Sequence, residues 1–237
     1  MIPIRDDAPR MATPFITYFI IALNVLVFLF EVALDQRSRA VLIFQFGLVP
    51  DHVLGLLRAD AETVGVVPAV LPFLTSMFMH ASWLHIIFNM WALWIFGDNI
   101  EAYLGHFRYV LFYLLSGLGA SLLHIFFNPN SQVPSVGASG AIAGVMGAYL
   151  LLYPSARVLT LIPFFFFYFT WLPAWLVLGY WIVVQFLSGA ATSIAYSRQT
   201  SGGGVAFWAH VGGFAAGIIL IKLFPRSTPR YRFGGWG

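Results

Sequence analysis

The sequence predicts an all-α fold, a polytopic membrane protein built as a bundle of six transmembrane helices. Of the 237 residues, 60% are hydrophobic and only 9% are charged, whereas an average soluble domain has about 25% charged residues. The mean hydropathy is +0.84. Long uncharged runs also recur along the chain. Such a chain cannot cover a water-facing surface, so the bilayer is its natural solvent.

The positions of charged residues divide the chain into six predicted helices. Residues 109–156 contain no Asp, Glu, Lys or Arg, and this run is too long for one crossing of about 20 residues. Pro129 and Pro134, with polar neighbours, break it into two. The predicted spans are residues 13–33, 81–100, 107–127, 138–153, 172–189 and 205–223.

The segment 158–173 is the ambiguous part of this division. It carries Pro163 and Pro173 only ten residues apart, and proline inside a helix removes a hydrogen bond and clashes with the preceding turn. We therefore expect an interfacial or re-entrant connection there rather than a seventh span.

The distribution of Lys and Arg predicts the orientation. With six spans both termini share one side, and that side carries eight of the twelve Lys and Arg residues, which favours the cytoplasm. We expect a cytoplasmic tail over residues 1–12, a six-span domain over 13–223 with an external loop at 34–80, and a basic cytoplasmic tail over 224–237. The net charge of +3 is therefore attributed to membrane topology, and no nucleic-acid partner is expected.

A few polar residues lie within or beside the predicted spans, where such residues indicate function. They are Asn24, His80, His85, Asn89, His124, Ser139 and His210. Spans 2, 4 and 6 all enter from the external side, so the polar groups at their starts converge at one depth. The polar residues thus predict one site near the external face.

Ser139 is the candidate nucleophile. It lies between Gly137 and Gly140 at a loop-to-helix junction, where glycine allows a substrate backbone to approach closely. The helix start also offers free N–H groups and a positive dipole end for a developing oxyanion. The other interpretation is a packing face, because Gly140 and Gly144 have the spacing at which membrane helices touch. The two interpretations are compatible, since close packing would bring span 6 to the serine.

His210 is the candidate general base. It is followed by Gly213 and Gly217, a second face of small residues through which span 6 can approach span 4 and bring His210 to Ser139. The alternative is a buried histidine bonded to a backbone carbonyl. No Asp or Glu follows Glu101 in the chain, so we expect a Ser–His dyad, with His210 oriented by packing or by an aromatic neighbour.

His85 and Asn89 are four residues apart and share one helix face. Both are donors suited to an oxyanion hole, together with the Ser139 backbone N–H, while His80 lies in the loop that enters span 2. A zinc site formed by His80, His85 and His210, or a polar network that only joins helices, remains an alternative. We expect no metal and no cofactor, because catalytic zinc often takes a carboxylate or thiolate ligand and the chain has no cysteine.

Three motifs in order resemble the rhomboid family of intramembrane serine proteases. They are His80-Ala-Ser-Trp-Leu-His85-Ile-Ile-Phe-Asn89, Gly137-Ala-Ser139-Gly140 and Ala209-His210-Val-Gly-Gly213-Phe-Ala-Ala-Gly217. The resemblance covers about residues 70–223, and the link from Gly97 to Gly105 around Glu101 is also similar to the family's.

The resemblance implies a rhomboid-type six-helix core and a serine endopeptidase that forms an acyl-enzyme. Ser139 would be the nucleophile, His210 the base, His85 and Asn89 the oxyanion donors, and His80 a structural neighbour. The implied substrates are single-span membrane proteins in the lipid bilayer, cut near their external ends. It also implies a mobile cap at residues 188–207, a lateral gate at span 5, and a prokaryotic inner or plasma membrane with the site facing outside.

Two other functions remain as alternatives. An inactive rhomboid-like protein would bind membrane clients without cutting them, although the serine, the histidine and both oxyanion donors are all present. A channel or transporter would show inverted repeats or broken helices around a midplane site, and the sequence contains no convincing internal repeat.

Overall fold

The computed structural model describes residues 1–9, 12–57, 69–164, 166–196 and 206–227. Its helices are α1 (Phe15–Ala33), α2 (Gln36–Phe46), α3 (Pro50–Leu57), α4 (Pro72–Thr75), α5 (Trp83–Leu104), α6 (His106–Phe127), α7 (Ser139–Leu152), α8 (Ala174–Tyr196) and α9 (Phe207–Leu223). A 3₁₀ turn covers Ser76–Phe78, and the strands are β1 (Ile2–Asp6), β2 (Arg157–Phe164) and β3 (Phe166–Pro173).

The six predicted spans correspond to α1, α5, α6, α7, α8 and α9. Among the described helices, three are long and apolar enough to cross a membrane, namely Phe15–Ala33, His106–Phe127 and Ala174–Ser193. Helices α7 and α9 are shorter but also apolar. The predicted helical membrane bundle is confirmed.

The segment 158–173 forms a β-hairpin, which the all-α prediction did not include. Strand β2 pairs antiparallel with β3 from Arg157 opposite Pro173 to Phe164 opposite Phe166, and β1 adds to the other edge of β2. The β-branched and aromatic residues of this segment favour extended backbone. The prolines that argued against a seventh helix are therefore accommodated in a three-stranded sheet.

The sheet attaches the N-terminal tail to the bundle. The Arg157 backbone N–H and side-chain Nε donate to the two carboxylate oxygens of Asp7, each at 2.7 Å. These two hydrogen bonds hold the pKa of Asp7 below its usual value, and the bond from the Arg157 backbone N–H has the larger effect. Tyr149 of α7 donates its hydroxyl to Asp6, so β1 is tied to the central helix as well.

Glu101 joins the end of α5 to the start of α1. Its carboxylate is 1% exposed and accepts the backbone N–H groups of Ile16 and Thr17 at 2.9 and 2.8 Å, and the Thr17 hydroxyl at 2.7 Å. A carboxylate at a helix N-terminus satisfies free N–H groups and complements the helix dipole. This acid is therefore used for structure, at the end of α5 opposite His85.

Helix α7 lies at the centre of the bundle. Every residue from Gly140 to Tyr149 is buried, and α7 packs against α5, α6 and α9. A helix that is apolar on all sides and surrounded by other helices is fixed by its neighbours. Ser139, its first residue, is held in place with it.

The predicted external loop 34–80 contains helices α2, α3 and α4. Arg39 of α2 donates Nη2 to the carbonyls of His80 and Ala81, both at 3.1 Å. This part of the loop is thus attached to the entry of α5. Residues 197–205 of the predicted cap and residues 228–237 of the predicted C-terminal tail lie outside the described residues.

Candidate active site

The loop before Ser139 is fixed by backbone hydrogen bonds. Ser135 exchanges two bonds with Leu48, at 2.8 and 2.9 Å, and the Gly137 N–H donates to the Ser76 carbonyl at 2.8 Å. Gly137 has φ +136°, a conformation that side-chain-bearing residues rarely adopt. A Cβ at Gly137 would lie 2.7 Å from the His85 ring, so both backbone and space require glycine here.

Helices α7 and α9 touch through their glycines. A Cβ on Gly213 would lie 1.9 Å from the Gly140 carbonyl oxygen, and one on Gly217 would lie 2.0 Å from the Gly144 carbonyl oxygen. No side chain fits at either place. Small residues at such positions allow membrane helices to approach this closely. The packing-face interpretation of these glycines is therefore correct, and this packing brings α9 to Ser139.

Ser139 and His210 are hydrogen-bonded. The Ser139 Oγ lies 2.8 Å from His210 Nε2, although the two residues are 71 positions apart in sequence. His210 is 8% exposed, and Ser139 is half-buried at the helix start. This is a hydrogen-bond distance, which the interaction of a serine nucleophile with a general base requires.

Two residues of α8 contact the other side of the His210 ring. Gln185 Oε1 lies 2.7 Å from His210 Nδ1, and the Trp181 ring centroid lies 5.5 Å from that of His210 at 38°. The expected aromatic neighbour is therefore Trp181. The sequence analysis missed Gln185, although an amide within the apolar α8 was a signal of the same kind as Asn89.

His85 and Asn89 lie on α5 beside the Ser139 loop. The α5 helix is capped by Ser82, whose Oγ accepts the His85 backbone N–H at 3.3 Å, and the His85 ring adjoins Gly137. Asn89 is 7% exposed, and its Nδ2 has no hydrogen-bond partner among the described residues. A buried donor without a partner carries an energetic cost, which a ligand oxygen would remove.

His80 packs behind His85. Its ring is fully buried, with its centroid 5.1 Å from that of His85, and its backbone N–H donates to the Glu31 carboxylate at 3.2 Å. Glu31 is itself buried, and its Oε2 lies 3.8 Å from Arg39 Nη2. His80 is thus held between α1 and the loop that covers it.

Asn24 and His124, the two remaining polar residues of the sequence analysis, have hydrogen-bond partners in their own segments of the chain. Asn24 donates Nδ2 to the Ile20 carbonyl at 2.7 Å, and the His124 carbonyl accepts Asn128 Nδ2 at 2.9 Å. Over the described ranges, no group of three or more His, Asp or Glu side chains is arranged to hold a metal ion.

The fold and the site define a class, a helical membrane protein in which a serine and a histidine from two packed helices are hydrogen-bonded. The model of the rhomboid domain matches residues 68–227, which include all three motifs. The chain belongs to the rhomboid family.

Several proteins with rhomboid names are similar to this chain. Rhomboid-like protein 11, chloroplastic, of Arabidopsis thaliana is 32% identical over 68% of this chain and 56% of its own. Rhomboid protein 1, mitochondrial, of Saccharomyces cerevisiae is 30% identical over 66% of this chain and 42% of its own. Rhomboid protease GluP of Bacillus subtilis is 34% identical over 61% of this chain and 26% of its own. The matches thus span about half or less of these relatives' length.

The family and the apolar helices make this a membrane protein. The predicted prokaryotic plasma membrane is not supported by the comparisons, because two of these relatives carry chloroplastic and mitochondrial names. The type of membrane therefore stays a prediction that rests on the resemblance alone.

Proposed function

We propose that this protein is a serine endopeptidase that hydrolyses peptide bonds in or near the transmembrane segments of single-span membrane proteins. The observation that carries the proposal is the 2.8 Å distance between Ser139 Oγ and His210 Nε2. A serine alone is a weak nucleophile, and an adjacent general base activates it. The pair lies inside a bundle whose lipid-facing helices are apolar, so its substrates would come from the membrane.

In the first half of the reaction, Ser139 Oγ attacks the scissile carbonyl carbon while His210 Nε2 takes its proton. The resulting tetrahedral intermediate carries a negative oxygen. Collapse of the intermediate breaks the C–N bond, and His210 returns the proton to the leaving amine. The product of this half is an ester between the substrate's acyl group and Ser139.

In the second half, water attacks the acyl-enzyme ester, and His210 accepts the proton of the water. The second tetrahedral intermediate collapses to a carboxylic acid, and the proton returns to Ser139 Oγ. Both steps use the same base at the same atom. His210 Nε2 must therefore be unprotonated at the start of each half.

Three donors are proposed to stabilise the negative oxygen. They are the Ser139 backbone N–H, which lies in the first turn of α7 and so has no partner within the helix, the His85 ring and the Asn89 amide. The unpartnered, buried Asn89 Nδ2 supports this role. Donors held in place before the reaction stabilise developing charge at little cost of reorganisation.

The orientation proposed for the site follows from the Lys and Arg distribution, with the termini in the cytoplasm and the site facing outside. Arg108 Nη1 donates to the Pro225 carbonyl at 3.3 Å, so Arg108 lies beside the end of α9. His210 lies at the other end of α9. These contacts support a site at the end of the bundle opposite Arg108.

The experiment is a cleavage assay with the full chain in proteoliposomes and a single-span reporter protein. We expect wild-type protein to cut the reporter, and Ser139→Ala and His210→Ala each to abolish cutting. A fluorophosphonate should label Ser139 in the wild type and fail to label it in the histidine variant. Activity that persists in both variants, or that a chelator abolishes, would overturn the proposal.

An inactive, client-binding rhomboid-like protein is the alternative. It would crosslink to the reporter in the bilayer with no cleavage and no fluorophosphonate labelling in the wild type. The hydrogen bond between Ser139 and His210 favours the protease, because binding alone does not require that contact.

Asn89→Ala tests the oxyanion role. Loss of one such donor costs about a hundredfold or more in kcat, and we expect that fall with KM changed by less than about twofold, since the donor acts on the transition state. Asn24→Ala is the matched control, because the Asn24 amide bonds within α1. An equal effect of the two substitutions on kcat would contradict the assignment.

A further inference from the structure

We propose that Gln185 is a positioning residue for His210, supplying from α8 the acceptor that a carboxylate supplies in a catalytic triad. The inference rests on the proposed function. Its geometric basis is the 2.7 Å distance between Gln185 Oε1 and His210 Nδ1. The constellation is therefore Ser139–His210–Gln185, with an amide as its third member.

The contact selects one tautomer of the His210 ring. A neutral imidazole has one N–H and one lone pair, and the amide oxygen of Gln185 can only accept a hydrogen bond. The proton therefore lies on Nδ1, and Nε2 is left with the lone pair that faces Ser139 Oγ at 2.8 Å. This is the tautomer that a general base requires, and the partner of the opposite nitrogen decides it.

An uncharged acceptor suits this position. No Asp or Glu follows Glu101 in the chain, and the described acids of α5 lie at its far end, where Glu101 binds Ile16 and Thr17. An ionised carboxylate among membrane helices is costly, whereas an uncharged amide whose oxygen is hydrogen-bonded costs much less. Gln185 orients the imidazole ring of His210 without placing a charge in the bilayer.

The acceptor is carried by a helix that is less buried than the other two candidate spans, α1 and α6. In the apolar part of α8, 22% of the residues are buried. The corresponding share is 28% in α1 and 39% in α6. A second bond between the same helices runs from Trp208 Nε1 to Ser193 Oγ at 2.9 Å. Any displacement of α8 from α9 would thus remove the acceptor from His210.

The test compares three variants of the full chain in detergent. Gln185→Met keeps the length of the side chain and removes the acceptor, and Gln185→Glu keeps an acceptor oxygen. Ser193→Ala is the matched control, because it removes the other hydrogen bond between α8 and α9 without touching His210. For each variant, kcat, KM, the rate of fluorophosphonate labelling at Ser139 and the thermal midpoint are measured.

We expect Gln185→Met to lower kcat and the labelling rate together by about tenfold, equivalent to about 1.4 kcal/mol, with KM within about twofold of the wild type. Gln185→Glu should recover most of the loss, and Ser193→Ala should keep wild-type kcat. These differences should appear at similar thermal midpoints, because tautomer selection affects chemistry more than folding.

Two outcomes overturn the inference. Equal losses in Gln185→Met and Ser193→Ala would show that the bond only holds the helices together, and wild-type kcat in Gln185→Met would show no role. If Gln185→Glu fails to fold, the comparison of Gln185→Met with Ser193→Ala still decides. Failure of the proposed function is seen separately, as cleavage that survives Ser139→Ala.

Discussion

Helix α9 meets its two neighbours in different ways. Toward α7 it presents Gly213 and Gly217, and backbone touches backbone with no room for a Cβ. Toward α8 it presents His210 and Trp208, which are joined by side-chain hydrogen bonds to that helix. One contact is made by main chain and the other by side chains that can separate.

His210 has two structural requirements, a distance and a ring orientation, and a different neighbouring helix satisfies each of them. The distance from His210 to Ser139 is set by main-chain contact between α7 and α9. This contact is rigid, because it contains no side chains that can change rotamer. The tautomer and ring orientation of His210 depend on α8, through Gln185 and Trp181. Reactive geometry thus combines a rigid contact with one that a helix movement can break.

Gly213→Leu should have the largest effect on this arrangement. Even a Cβ at Gly213 meets the Gly140 carbonyl oxygen at 1.9 Å, so leucine must push α9 away from α7. A displacement of about 1 Å costs about a hundredfold in rate, and we expect kcat/KM to fall at least that far, with a lower thermal midpoint. Assay of the reporter with purified protein measures both.

Gly179→Leu is the control for that substitution. Gly179 lies on α8, and a Cβ there would meet nothing within 4 Å, so we expect activity and thermal midpoint close to the wild type. Equal activity of Gly213→Leu and Gly179→Leu would break the claim that the α7–α9 contact is rigid.

Trp181→Leu should have an intermediate effect. The indole packs against His210 and Phe214 with ring centroids 5.5 and 6.3 Å apart, and such ring pairs contribute about 1 kcal/mol beyond area burial. We expect a loss of that size in the free energy of unfolding, measured by denaturant titration in mixed micelles. Trp175→Leu, at a side chain that is 56% exposed, should lose less; an equal loss would contradict the assignment.

The Ser193–Trp208 bond should contribute least. Hydrogen bonds between membrane helices contribute about 0.6 kcal/mol on average, and we expect a coupling energy of that size from a double-mutant cycle of Ser193→Ala with Trp208→Phe. The phenyl ring keeps an aromatic face toward Phe127, on which Trp208 stacks at 3.8 Å between centroids. A coupling energy above the loss of unfolding free energy measured for Trp181→Leu would reverse the order of the α8 contacts.

Much of the bundle could be predicted from the sequence, because a transmembrane helix is a local feature. Length and apolar character define it, and charges mark its ends. The segment 158–173 was harder, because its prolines argued against a helix without indicating a hairpin of β2 and β3. The third strand of the sheet, β1, lies far away in sequence. Strand partners are not encoded in the strand itself.

The candidate site was likewise predictable in part from the sequence. The motifs around Ser139 and His210 and the lack of later acids pointed to a dyad before any geometry was known. Gln185 was missed because a single amide in an apolar helix has no spacing pattern that links it to a partner. Its contact with His210 arises only when α8 packs against α9.

Composition and local spacing encode the membrane-embedded helices, the glycines that permit close packing, and the serine and histidine that this packing would bring together. The folded bundle alone establishes the 2.8 Å contact between Ser139 and His210, the sheet that joins β1 to the hairpin, and the amide that faces His210 Nδ1. Those features depend on distances between segments far apart in the chain, which only the packing of the folded bundle sets.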